Sequence, residues 1–275
     1  MTDALEPPIL KDKLHDADSA FRPENLLREG RRQQQVATGN VPHLCLLDPD
    51  GDIVRWLTDQ RLARRCPFWA CYHTDLYTFD FGGRQVGVIG NAVGASFAVL
   101  LAEQLFVSGC RLLISITSAG QIARDVATPC FVLIDKALRD EGTSYHYLPP
   151  SDFAHAPDAL LSGLVDAFAS LEFLVVQGSV WTTDAPYRET EAAIAANQAR
   201  GILAVEMEAA ALYAFAQARK QPVVCFAHIT NQLARGGDDF EKGEADGALA
   251  SLAVMDAVAN ALLQSKSLKT GGSPT

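Results

Sequence analysis

Glu206 and Glu208 flank Met207 at the point where the apolar run Ile202 to Val205 gives way to an alanine-rich stretch. Acidic groups at a strand-to-helix change have a plain structural use, because they favour a helix N-terminus. A carboxylate can also accept two hydroxyl donors at once, which makes the pair a candidate binding group. Other polar residues gather where apolar runs stop: Asn91, Thr117-Ser118, Thr182-Thr183-Asp184 and Thr230-Asn231. Asn231 can donate and accept hydrogen bonds but cannot release a proton, so it is no general acid. Asp184 has two readings, a ligand-facing group or the N-cap of the helix that follows it. His73, His146, His155 and His228 have no partner at metal or triad spacing. The six cysteines mostly sit beside apolar residues, as in Leu44-Cys45-Leu46, and read as buried free thiols. No metal and no cofactor is expected.

The elements that must position these groups alternate. Short apolar runs at His43–Leu47, Gln85–Ile89, Leu112–Ile116, Phe131–Asp135, Phe173–Trp181 and Val223–Ile229 read as buried strands. The aromatic stretch Phe68–Phe81 reads as another, joined to its neighbour by the Gly82-Gly83 turn. Helical patterning covers Ile53–Arg65, Ser96–Ser108, Ala156–Ser170, residues 189–199, Glu206–Ala218 and Glu244–Leu263. Such alternation gives an α/β fold whose central mixed β-sheet is flanked by helices, with function collecting at strand ends. Residues 1–41 read as an N-terminal arm and helix, 42–265 as the main domain, and 266–275 as a flexible tail.

The chain has 275 residues and a formal net charge of −10. That balance argues against a general nucleic-acid binder, whose partner needs a basic face, and against attachment to anionic membranes. The longest apolar stretches look too interrupted to span a bilayer, and the polar N-terminus lacks a signal-peptide pattern. A cytoplasmic location is the default expectation.

The segment Val205-Glu206-Met207-Glu208-Ala209 resembles the signature of the nucleoside phosphorylases and related nucleosidases. Further segments resemble the family in its order: Gly90-Asn91-Ala92-Val93-Gly94, Ile114 to Gly120, Thr182 to Tyr187, and Ile229-Thr230-Asn231. The resemblance spans roughly residues 42–263. It implies a nucleoside phosphorylase-like fold and cleavage of a nucleoside's N-glycosidic bond, with ribosyl transfer to phosphate. It further implies that Glu208, with Glu206 and Met207, holds the ribose. Ser118, Gly94 and Asn91 would hold phosphate or water. Thr183, Asp184, Pro186 and Tyr187 would line the base pocket, with Asn231 facing the base. A homodimer or larger homo-oligomer is implied, with a nucleoside as the small-molecule partner.

Departures from the family pattern matter as much. The phosphorylases carry an arginine after the first strand that binds phosphate. Here the turn is Asp48-Pro49-Asp50-Gly51-Asp52, and Ile53 falls at the arginine's place. Ser115 falls at a second arginine position, and a third has no clear counterpart near Cys71-Tyr72-His73. A phosphate dianion in a partly buried site needs cationic or dense amide donors. Arg84, Arg111, Arg124 or a neighbouring subunit are candidates to replace the lost charge. Asn231 stands where purine-specific relatives place an acidic aspartate, and resembles uridine phosphorylases instead, although these follow it with a basic residue where this chain has Gln232. Purine and pyrimidine both remain open as the base. A nucleosidase using water, or a non-catalytic nucleoside-binding protein, are the alternative readings.

Overall fold

The computed structural model describes residues 7–231 and 242–264, the side chains of Asn231 and Gln264 apart. The expected tail at 266–275 lies outside them. After a short 3-10 turn at Pro8–Leu10 comes α1 (Pro23–Gln34), then β1 (Leu44–Asp48), α2 (Asp52–Asp59), β2 (Arg64–Arg65), β3 (Tyr77–Phe81), β4 (Arg84–Gly90) and α3 (Ala95–Val107). The second half holds β5 (Leu112–Gln121), β6 (Cys130–Asp140), β7 (Phe153–His155), α4 (Asp158–Ser162), β8 (Leu174–Thr183) and α5 (Glu191–Ala199). It closes with β9 (Ala204–Glu206), α6 (Ala209–Arg219), β10 (Val223–Asn231) and α7 (Ala248–Gln264).

The strands form one mixed sheet in the order β10-β6-β8-β9-β5-β1-β4-β3-β2, with β7 on β6. A further pairing of β10 with β5 closes the first five strands into a ring. Within it, β10 runs parallel to β5 and antiparallel to β6. Strands β4, β1 and β5 are parallel, so Asp48, Gly90 and the far end of β5 share one edge.

Strand residues alternate between two buried faces, as the pleat requires. Cys45 and Leu47 join α3 and α6 in one apolar cluster, whereas Leu44 and Leu46 join α2 and α7 in the other. The alanine-rich pattern of α6 follows from this burial: every residue from Ala209 to Ala216 is shielded from solvent. Its Tyr213 is wholly buried, and its hydroxyl donates to the Ile134 carbonyl at 2.6 Å while accepting from the Cys225 amide at 3.0 Å. One phenol on α6 thus bridges the neighbouring strands β6 and β10.

Several expectations are corrected. Only Tyr77–Phe81 of the aromatic stretch is strand. Trp69, Ala70, Cys71 and Leu76 turn into the chain's own core, and the Trp69 indole donates to the Thr74 carbonyl at 3.0 Å. The helix expected over Ala156–Ser170 shrinks to α4 and a run of turns. Gly163 ends it, at a close approach where a Cβ would lie 2.7 Å from Leu262 Cδ2 of α7. Thr117 and Ser118 lie within β5, which runs on to Gln121 by pairing with β9. One stretch, Glu244–Leu263, is after all long and apolar enough to cross a membrane, and half of it is buried inside the protein. Its Leu252, Val254, Met255 and Val258 belong to the apolar cluster beneath the sheet. All six cysteines are buried and unpaired.

The arm lies on the body of the protein. Gly30 of α1 approaches Ala70 so closely that a Cβ would stand 2.4 Å from its carbonyl oxygen. Lys13 Nζ is 2.9 Å from His146 Nδ1, and the His15 ring is within 3.2 Å of the Tyr145 carbonyl.

Candidate active site

Glu206 and Glu208 divide the two readings of their segment between them. Glu206 ends β9, and its Oε2 accepts from the Glu208 and Ala209 amides at 2.7 and 2.8 Å. Its Oε1 takes the Thr182 hydroxyl, which in turn accepts from the Ala210 amide at 3.0 Å. Glu206 is therefore the group that satisfies the N-terminus of α6, and both its oxygens are engaged by the chain. Glu208 occupies the N-cap position but makes no capping bond with its side chain. Instead its Oε1 reaches across to accept from the Gly94 amide at 2.6 Å. Its Oε2 is buried without a well-formed hydrogen bond. Met207, between them, is half-buried.

Burial, then the neighbouring Glu206, push the Glu208 carboxyl up to about 8, against the lowering effect of the Gly94 amide and the Thr117 hydroxyl. Burial pushes Glu206 up as well. An unfilled acceptor at 1 % exposure is costly unless a donor arrives. The Gly94 amide can point this way because Gly94 takes φ 96°, a left-handed conformation that strains other residues. Asn91, exposed and itself at φ 59°, donates its amide to the Asp48 carbonyl at 3.0 Å and packs over Gly51.

Beside this carboxylate lies a charged cleft at the ends of β1, β5 and β10. The turn after β1 is built by Asp48, whose oxygens accept from the Gly51 and Val54 amides at 3.2 and 2.9 Å. Burial raises Asp48 to about 7. The next carboxylate, Asp50, sits on Ser118: Oδ2 accepts from its amide at 2.7 Å and Oδ1 from its hydroxyl at 2.8 Å. Lys242 Nζ lies 2.5 Å from Asp52 Oδ2 and 3.6 Å from Asp50 Oδ1. His228 lines the same cleft, stacked on Phe131 with ring centroids 4.1 Å apart. Burial and then Lys242 hold it down at about 4, so it is neutral. Lys242 escaped the sequence reading because it lies far along the chain in a polar run without a family motif.

The arginine-free positions have packing explanations. Ile53 is 2 % exposed on the core-facing side of α2, and Ser115 is equally buried in mid-strand. Arg84 starts β4 and is held by Asp256 and Asn260, and Arg111 precedes β5, so both stand at the edge opposite the cleft. Arg124 lies on a separate surface depression with Gln121 and Glu191. Arg55 is held by Asp52 and Asp246.

On the side of β8, the Thr183 hydroxyl accepts from the Ala185 amide at 3.2 Å, and Asp184 Oδ2 accepts from the Gly142 amide at 2.8 Å. Asp184 is not the N-cap of α5; Thr190 is, accepting from the Ala193 amide. Pro186 and Tyr187 form a 3-10 turn in which Tyr187 is wholly exposed. Asn231 ends β10 opposite Gly120. Its side chain, and Gln232, lie outside the described residues. Among the described residues no group of three His, Cys, Asp or Glu is placed to hold a metal ion.

This architecture is found in known proteins. The structure is similar to a uridine phosphorylase from Vibrio fischeri ES114, with a TM-score of 0.68 at 18% identity, covering 82% of this chain and 96% of that one. It is similar to a purine nucleoside phosphorylase from Toxoplasma gondii, with a TM-score of 0.67 at 15% identity, covering 82% and 92%. In sequence it is 29% identical over 183 residues to a DeoD-type purine nucleoside phosphorylase of Myxococcus xanthus, covering 66% of this chain and 77% of that protein. A similar protein of the same type from Colwellia psychrerythraea is 29% identical over 162 residues, covering 58% and 69%. The family model described as the phosphorylase superfamily matches residues 49–263. The chain belongs to the phosphorylase superfamily.

Proposed function

We propose that the protein cleaves the N-glycosidic bond of a nucleoside and transfers the ribosyl group to phosphate. The carrying observation is Glu208: a buried carboxylate, held by one oxygen on the Gly94 amide, with its second oxygen buried and without a hydrogen bond. Ribose offers the hydroxyl donors that such an oxygen lacks. Glu206 positions Glu208 by fixing the start of α6, and Met207 packs against the sugar. Ser118, Gly94 and Asn91 serve the phosphate side. Thr183, Asp184, Pro186 and Tyr187 serve the base, with Asn231 as a hydrogen-bonding rather than acid group. Attack at the anomeric carbon then passes through an oxocarbenium-like ribose, whose hydroxyls Glu208 holds. The full exposure of Tyr187 in the single chain supports assembly as at least a homodimer, in which a partner covers the base side.

One observation favours a second reading, with water in place of phosphate. Asp50 occupies the Ser118 donors, and a carboxylate there suits a water nucleophile better than a dianion. The products separate the two, ribose 1-phosphate in the first and free ribose in the second.

The assignment of Glu208 is tested by titrating nucleosides into the wild type and into Glu208→Gln. The variant should bind at least about tenfold more weakly while keeping its fold, since a charge-assisted bond contributes about 1.5–3 kcal/mol. Equal affinity in the folded variant would contradict the assignment.

A further inference from the structure

The Asp50 carboxylate is seated like a bound oxyanion. Its two oxygens take two donors of one residue, the amide and hydroxyl of Ser118, at 2.7 and 2.8 Å. Paired short contacts of this kind are how backbone and hydroxyl donors hold any oxyanion, carboxylate or phosphate. An ammonium completes the set: Lys242 Nζ, bonded to Asp52 Oδ2 at 2.5 Å, stands 3.6 Å from Asp50 Oδ1 and so faces both carboxylates. Lys242 is itself mostly shielded, with its side chain 21% exposed, so its charge acts in a medium less screened than open water. Arg55, the other cation of this turn, pairs with Asp52 and Asp246, is half exposed, and does not line the cleft as Lys242 does. Arg84 and Arg111 stand at the opposite edge of the sheet.

We infer that Asp50 is a built-in occupant of the anion subsite, and that Lys242 together with Ser118 forms the cradle which an incoming phosphate takes over when Asp50 swings out. This rests on the phosphorolytic reading and adds to it a cation and a competitor. Asp48, whose oxygens hold the Gly51 and Val54 amides, keeps the turn in place, so only the Asp50 side chain has to move. With Asp50, Asp52 and Asp246 all on this cleft, phosphate entering beside a seated Asp50 would meet a surplus of negative charge. Leaving Ser118 exchanges one anion for another and leaves the cleft's donors satisfied. The free acceptor subsite thus opens only in proportion to phosphate concentration, and Asp50 sets the threshold.

The test is direct binding of inorganic phosphate to the full chain by calorimetry, for wild type, Asp50→Ala, Asp50→Asn, and Asp50→Ala combined with Lys242→Met. Removing the carboxylate should tighten phosphate binding at least tenfold, and the added loss of Lys242 should cancel that gain. Asp50→Asn keeps the side chain's size and should show the same direction, which guards against a turn disturbed by alanine. Unchanged or weaker phosphate binding in both folded Asp50 variants overturns the inference. A gain that survives Lys242→Met overturns the role given to Lys242. Because binding is read without turnover, the function is judged separately. Tighter phosphate binding with no cleavage of any nucleoside would support the subsite and sink the phosphorolytic reading.

Discussion

At the scale of single residues, the chain separates two carboxylates that its sequence presents as a pair. Glu206 is consumed by three donors of the chain, while Glu208 keeps one buried oxygen without a hydrogen bond. That difference has a consequence in pH. The free protein holds Glu208 up at about 8 through burial, so near neutrality the carboxyl tends to carry a proton. Accepting hydroxyl donors on both lone-pair sides favours the ionised form. Nucleoside kcat/KM should therefore rise as pH is raised from about 6 toward about 8 and level off above it. Glu208→Gln, with nothing to ionise, should lose most of that rise. A wild-type profile that falls over this range would contradict the role of Glu208. The motif Glu206-Met207-Glu208 was legible in the sequence as a candidate, but which glutamate keeps an oxygen without a hydrogen bond was not. That depends on Thr182 and Gly94, which reach the segment from β8 and from the turn before α3. The seat of Asp50 on Ser118 was likewise hidden, because the pairing is 68 residues apart in sequence. The carboxylate crowding of that turn was visible, and so was the loss of arginine at Ile53 and Ser115.

At the scale of elements, the alternation of strands and helices was readable because strands buried on both faces leave continuous apolar runs. What failed were elements decided by distant partners. Strand β5 extends through Thr117 and Ser118 because β10 pairs with it there, and on to Gln121 because β9 pairs with it beyond. The Phe68–Leu76 segment carries the composition of a strand yet folds inward as core, with Trp69 fixed by its own loop. Helix α6 is fastened to the neighbouring strands β6 and β10 by the Tyr213 hydroxyl. Tyr213→Phe would leave the Ile134 carbonyl without that donor and the Cys225 amide without that acceptor, both buried. The expected cost is about 1–3 kcal/mol of unfolding free energy. Chemical denaturation should show it as a lower midpoint with an unchanged slope. A variant as stable as the wild type would show that β6 and β10 do not depend on the phenol.

At the scale of the whole molecule, the mixed sheet places the ends of β1, β4, β5 and β10 on one edge, and both the Glu208 carboxylate and the charged cleft lie there. Of the aromatic stretch Phe68–Phe81, Trp69, Cys71, Leu76 and Phe79 are turned into the chain's own core, whereas Tyr72 stays 39% exposed. Tyr187 at full exposure and Val93 at 52% are exposed apolar side chains, and the proposed homodimer is expected to cover them. Sedimentation at micromolar concentration should show a dimer or larger species, and Tyr187→Glu should weaken it. A wild type that stays monomeric would contradict the assembly. The central claim is the chemistry itself, and product analysis tests it most directly. The protein is incubated with a panel of purine and pyrimidine nucleosides, with and without phosphate, and free base, ribose 1-phosphate and ribose are quantified. The account requires base and ribose 1-phosphate in equal amounts from at least one nucleoside, and only when phosphate is present. Base released at the same rate without phosphate, with free ribose beside it, or no base from any nucleoside, would contradict it.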